Sequence, residues 1–144
     1  MKNIDLLRNL IRVLDKNIGA LEKTKLICCG ATIGQCHAVL EIGFAGEISL
    51  IDLANLLNLD KSTMSRTVNN LVTDELVERV TDPENRRYVK LMLSKNGQML
   101  NERINSVLDL YFENVMNDIP EDKREQVAES LVLLINALNK NNCC

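Results

Sequence analysis

The sequence predicts a mainly helical α+β protein, one small sheet-bearing lobe framed by long helices at both ends of the chain. Three observations carry that expectation. Leu and Ile recur at helical spacing over most of the 144 residues, only two prolines and six glycines interrupt them, and a single strand-like pair of segments lies near the middle. The composition is 46% apolar and 26% charged, the balance of a soluble globular chain long enough for one ordinary domain.

Residues 4–27 form the first expected helix, with Ile4, Leu7, Leu10, Ile11, Leu14, Ile18 and Leu21 on one face. Gly30 and Gly34 break that pattern, and Gln35 to Ile42 reads as a short second helix ending near Gly43 and Gly46. Ser49 and Asp52 have capping-box spacing ahead of LIDLANLL. After the break Asn58-Leu59-Asp60 comes KSTMSRTVNNLV, with Asp60 placed to cap it. Two short helices joined by a tight turn form a helix-turn-helix.

LVERV, the polar TDPENRR and YVKLMLS then read as two strands and a loop. In the second strand Val89, Leu91 and Leu93 alternate with Tyr88, Lys90 and Met92, so one face is expected to be buried. Ser94 is placed to cap a long helix carrying Leu100, Ile104, Val107, Leu108, Tyr111 and Val115. Pro120 suits the first position of a last helix with Val127, Leu131, Leu134, Ile135 and Leu138.

The helix over 61–73 is the element with functional content. Met64, Val68, Leu71 and Val72 make an apolar stripe, which leaves Ser62, Thr63, Ser65, Arg66 and Asn69 on the other side. A merely solvated face more often carries paired Lys and Glu. Short hydroxyls and amides suit close approach to base edges and phosphates, although an ordinary amphipathic helix would share the stripe. The loop adds Arg86 and Arg87, a type of side chain used to read narrow minor grooves. Pairing of one of them with Asp82 or Glu84 is the plainer alternative. Helix-turn-helix followed by a hairpin is a winged helix. The net charge of −3 does not oppose a local basic surface.

The run ISLIDLANLLNLDKSTMSRTVNNLVTDELVERVTDPENRRYVKLMLSKNG closely resembles the DNA-binding core of the MarR family of bacterial transcriptional regulators. The likeness reaches back to TIGQCHAVLEIG and, more loosely, to the helices at both ends. Its specific parts are LDKSTMSR, LVERV, DPENRR and LSKNG. The resemblance implies one domain over 1–144, with a winged-helix lobe at 31–99 and dimerisation helices at 1–30 and 100–144. It further implies an obligate homodimer on a palindromic operator of double-stranded DNA, acting as a repressor until an inducer releases it. By position Ser62, Thr63, Ser65, Arg66 and Asn69 become recognition-helix contacts and Arg87 the wing arginine, with Arg86 beside it. Asn85 departs from the family, which usually has an acidic residue there; a weaker neutral contact to the wing arginine is expected. The apolar surface of the end helices independently exceeds what a small lobe could cover, as at obligate interfaces.

Five cysteines, an odd number, argue against a closed disulfide framework, and the chain has neither a signal-peptide layout nor a spanning apolar run, so a cytoplasmic, membrane-free protein is expected. Cys36 reads as a small core hydrophobe and His37 as a surface or interface residue. Cys28, Cys29, Cys143 and Cys144 are candidate sensor thiols. Soft thiolates suit Zn, Cu(I) or a metalloid such as trivalent arsenic, oxidant sensing is an alternative, and a small organic inducer or incidental thiols remain open. No cofactor is certain, no catalytic set is found, and no enzyme is expected. The rivals are a thiol-based redox enzyme and a winged-helix protein-interaction module.

Overall fold

The computed structural model describes residues 2–26, 30–85 and 87–142. The chain divides into two compact units, Met1–Val107 and Leu108–Cys144.

In the first unit, α1 (Lys2–Leu21) runs into one π-helical turn, Glu22–Leu26, so the regular helix stops earlier than the apolar spacing alone suggests. Only Leu21 of α1 is buried, while Ile4, Leu6, Leu7, Leu10, Val13, Leu14 and Ile18 are exposed. Helix α2 (Ile33–Ala45) begins at a full capping box: Thr32 Oγ1 accepts from the Gln35 N–H at 3.2 Å, and the Gln35 side chain accepts from the Thr32 N–H at 3.1 Å. Gly34 and Gly43 therefore lie inside this helix rather than breaking it. Gly43 faces the Asn101 side chain, whose amide a Cβ there would push aside, while the chain leaves the helix at Gly46 with φ of 79°. Cys36 is fully buried with Val39 and Ile42 in the core, as expected of a small hydrophobe.

A two-residue strand β1 (Ile48–Ser49) leads to α3 (Leu50–Leu56), capped by Ser49 Oγ accepting from the Asp52 N–H at 3.1 Å. Asn58, in the left-handed region at φ 51°, makes the turn to α4 (Lys61–Thr73). Strands β2 (Val77–Thr81) and β3 (Val89–Leu93) pair antiparallel, Val77 opposite Leu93 and Thr81 opposite Val89. β1 joins the other edge of β3, giving the order β1-β3-β2. The expected hairpin is thus part of a three-stranded sheet. Leu91 and Leu93 face the core and Lys90 faces solvent, the alternation read from sequence.

Helix α5 (Lys95–Asp118) starts against the sheet. Ser94 Oγ accepts from the Gly97 N–H at 3.0 Å, and the Ser94 N–H donates to the Leu76 carbonyl at 3.0 Å. Leu100 and Ile104 close the core. In the second unit the chain turns through a 3-10 segment, Glu121–Lys123, before α6 (Arg124–Lys140). Pro120 consequently precedes the 3-10 turn instead of opening the last helix. The Arg124 guanidinium satisfies the carbonyls of Met116 and Ile119 at 3.0 and 3.1 Å. No residue of α6 is buried. Among the described residues, no helix is long and apolar enough to cross a membrane.

Candidate nucleic-acid interface

Helix α4 is positioned by its apolar side. Met64, Val68 and Leu71 are buried, and Val72 is half-buried at the end of the same stripe. Burying three such side chains contributes on the order of 5 kcal/mol, which fixes the helix's rotation. Its N-terminus is capped by Asp60, whose Oδ1 accepts from the Thr63 N–H at 3.3 Å. The hydrogen bonds to Thr63, its hydroxyl first, together with the Arg66 charge hold the Asp60 carboxyl below the ordinary carboxylate range against the opposing pull of desolvation.

The opposite face is the one the sequence singled out. Ser62, Arg66 and Asn69 are exposed, while Thr63 and Ser65 are half-buried. The Thr63 carbonyl also accepts from Thr67 Oγ1 at 3.1 Å, a bond along the helix that leaves the Thr63 hydroxyl to its own partners. All five expected residues therefore lie on one helix surface, with three fully presented to solvent.

In the wing, the carboxylate pairing that stood as the plainer alternative is not formed by Arg87 among the described residues. Asp82 Oδ1 accepts from the Glu84 N–H at 2.9 Å, and Asn85 Oδ1 accepts from the Arg87 N–H at 3.2 Å. The Asp82 N–H donates to the Tyr88 carbonyl at 3.1 Å and the Tyr88 N–H to the Asn85 carbonyl at 2.9 Å. Asp82 and Asn85 thus shape the loop through its backbone, as short polar side chains do in turns. Among the described residues no carboxylate pairs with the Arg87 guanidinium, whose residue is exposed. Asn85 thus engages the wing arginine through its main chain, not its charge. Arg86 lies outside the described residues.

The fold also brings wing and recognition helix together. Arg87, Tyr88 and Val89 share a surface cleft of about 310 Å³ with Lys61 at the start of α4 and with Ser49 to Asp52. Arg79 of β2 reaches α4, its Nη2 donating to Asn69 Oδ1. Sequence reasoning missed Arg79. It sits inside the distinctive LVERV segment, where strand alternation puts it on the face of buried Val77 and opposite Leu91, but nothing local says that it reaches α4.

Cys28, Cys29, Cys143 and Cys144 fall outside the described residues. His37 bonds Glu22, Nε2 to Oε1 at 2.9 Å, tying α2 to the π-helical turn. Among the described residues, no group of three or more His, Cys, Asp and Glu side chains is placed to hold a metal ion.

A lobe with this helix and wing matches known proteins. The family model described as "MarR family" matches residues 31–89. The curated HTH-type transcriptional regulator BilQ of Clostridium symbiosum is 25% identical over 105 residues, 73% of each chain. A mutant MarR from E. coli complexed with operator DNA is 25% identical and superposes with a TM-score of 0.75, covering 94% of this chain and 96% of that one. Streptococcus pneumoniae FabT in complex with DNA shares the fold with a TM-score of 0.83 at 19% identity, over 96% of this chain and 99% of that one. Of these relatives, BilQ is a transcriptional regulator, and the MarR and FabT structures hold DNA. Core, capped helix, wing and comparisons agree: residues 31–89 carry the match to the MarR family, and the lobe built from them is similar to winged helix-turn-helix transcriptional regulators.

Proposed function

We propose that this protein is a homodimeric repressor that holds a palindromic operator with two recognition helices and two wings. The observation that carries the reading is the surface of α4. Its apolar stripe is buried, so Ser62, Arg66 and Asn69 must face outward, with Lys61 and Arg87 across one cleft beside them. Arg87, without a carboxylate partner among the described residues, is free to meet a phosphate or a narrow minor groove. An acidic chain with cations gathered here uses local rather than net charge.

Dimerisation is supported by the apolar side chains that each unit leaves in water: Leu10, Leu14 and Ile18 on α1, and Leu131, Ile135 and Leu138 on α6. A monomer seldom exposes such continuous helix faces. Two-fold symmetry then places the half-sites about one DNA turn, roughly 10 bp, apart.

Binding to the upstream region of its own gene, followed by fluorescence anisotropy, tests the reading. Affinity should fall steeply as salt rises, because phosphate contacts release counterions. An Arg66→Ala and Arg87→Ala double variant should lose about 10²-fold or more. A double variant that binds as tightly as wild type refutes the assignment, and salt-independent binding favours the protein-interaction rival. For the inducer, a soft ion or an oxidant acting on Cys28 and Cys29, with Cys143 or Cys144 of the other protomer, rests on the sequence alone. Unchanged operator release by arsenite, Zn(II) and peroxide after serine replacement of Cys28 and Cys29 would exclude it.

A further inference from the structure

We infer that Arg79 is a positioning residue that fixes the orientation of the Asn69 side-chain amide, and so decides which base edge the recognition helix reads at that point. The inference rests on the DNA-binding reading and deepens it.

The two residues are ten apart in sequence and sit on different elements, β2 and α4, that pack against each other. Arg79 Nη2 donates to Asn69 Oδ1, and both residues are exposed on the side where α4 presents its polar face. Arg79 is anchored at its base. Its strand is paired along its length with β3, where it stands opposite Leu91, and Val77 two residues earlier is buried. Glu75 and Glu78 line the same open surface, yet no carboxylate among the described residues takes the guanidinium in an ion pair. The described partner of this cation is a neutral amide on the recognition helix.

An asparagine amide is ambiguous by itself. One end accepts, the other donates twice, and the terminal torsion has two broad wells between which the group flips readily. A guanidinium can only donate, so its bond to Asn69 selects the rotamer with Oδ1 toward β2 and Nδ2 away from it. The outward end is then a pure donor, further polarised by the charge behind it. In the major groove such a donor suits the N7 and O6 of guanine, the N7 of adenine or the O4 of thymine. It meets the N4 amine of cytosine donor to donor. Released from Arg79, the amide could flip and accept from that amine instead. Discrimination against cytosine at one position of each half-site therefore belongs to Arg79 and Asn69 together.

The test uses the full-length protein and an operator chosen by wild type from a random duplex pool. Each base pair of the half-site is then replaced symmetrically, and affinities are measured for wild type, Arg79→Ala, Arg79→Lys, Asn69→Ala and the Arg79→Ala/Asn69→Ala double variant. Arg79→Ala should reduce discrimination at one symmetric base pair about tenfold while the other positions and the salt slope stay as in wild type. Arg79→Lys, which keeps a donor at the end of a flexible stem, should restore part of it. Asn69→Ala should flatten the same position, and the double variant should match Asn69→Ala. A uniform loss across the panel with a salt slope lower by about one marks Arg79 as a phosphate contact and overturns the inference. An unchanged panel overturns it as well, leaving the functional reading intact. A wild type that selects no sequence from the pool overturns both.

Discussion

Replacing Gly97 with alanine should damage the lobe more than any other single methyl addition at its glycines. Gly97 is buried in the first turn of α5, where a Cβ would stand 1.9 Å from the Leu76 carbonyl oxygen, 3.0 Å from its carbon and 3.3 Å from Leu93 Cβ. Carbon and oxygen in ordinary contact lie about 3.3 Å apart, so helix and strand must separate by more than one ångström. The Leu76 carbonyl cannot yield alone, because it accepts the Ser94 N–H at 3.0 Å. Nor can the helix start slide freely, since Ser94 Oγ holds the Gly97 N–H and also donates to the Glu75 carbonyl. Overpacking costs about 1–3 kcal/mol, and losing one of these bonds adds about 1 kcal/mol. The sum, roughly 2–4 kcal/mol, is a large part of the ~5–15 kcal/mol that holds a domain folded. It should lower Tm by about 6–15 °C, read by circular dichroism at 222 nm and fixed protomer concentration. Gly34→Ala is the control. A Cβ there meets nothing within 4 Å, and alanine in a helix should stabilise by about 0.5–1 kcal/mol. A Gly97→Ala protein melting within about 2 °C of wild type would refute the reasoning.

Leu131 is 42% exposed on α6, on one stripe with Ile135 and Leu138, so in the proposed dimer Leu131→Glu should leave the protomer folded while raising the dissociation constant by about 10²-fold, since a two-fold interface meets the change twice. Sedimentation equilibrium checks this, and an unaltered dimer would place the interface elsewhere. The Asp60 cap sets a pH dependence. Its carboxyl is held low by Thr63, so its contribution is fully present above the unfolded value near 4 and is lost as pH falls through the lower folded value. Urea midpoints of wild type and Asp60→Asn should accordingly differ above about pH 4 and converge in stronger acid; a constant difference would deny the carboxylate its role. Asn85→Ala removes the bond to the Arg87 N–H and should weaken operator binding several-fold without changing Tm by more than about 2 °C. Equal affinity would mean that the wing holds its shape through the backbone alone.

The parts legible in the sequence are those where one local rule suffices. Met64, Val68 and Leu71 repeat at helical spacing and are buried, Asp60 and Ser49 are caps where short polar side chains precede an apolar run, and Leu91 and Leu93 alternate as a one-sided strand should. What escaped depends on partners distant in the chain. β1 has two residues, too few for any period, and exists because Ile48 and Ser49 find Leu91 and Lys90. Gly34 looks like a break until Thr32 and Gln35 close a capping box around it. The wing shows the same logic at the functional surface. A charged side chain next to an acid suggests an ion pair, yet Asp82 serves the Glu84 amide and Asn85 the Arg87 amide, so the loop is held by backbone geometry and, among the described residues, no carboxylate pairs with the guanidinium. Charge left free in this way suits binding a polyanion better than pairing would, because no internal bond must break before a phosphate is met. On the proposed reading, an amide rather than an acid at position 85 leaves the arginine available rather than preset. The cost falls on orientational entropy at binding, and the gain is a cation that needs no displacement of its own carboxylate.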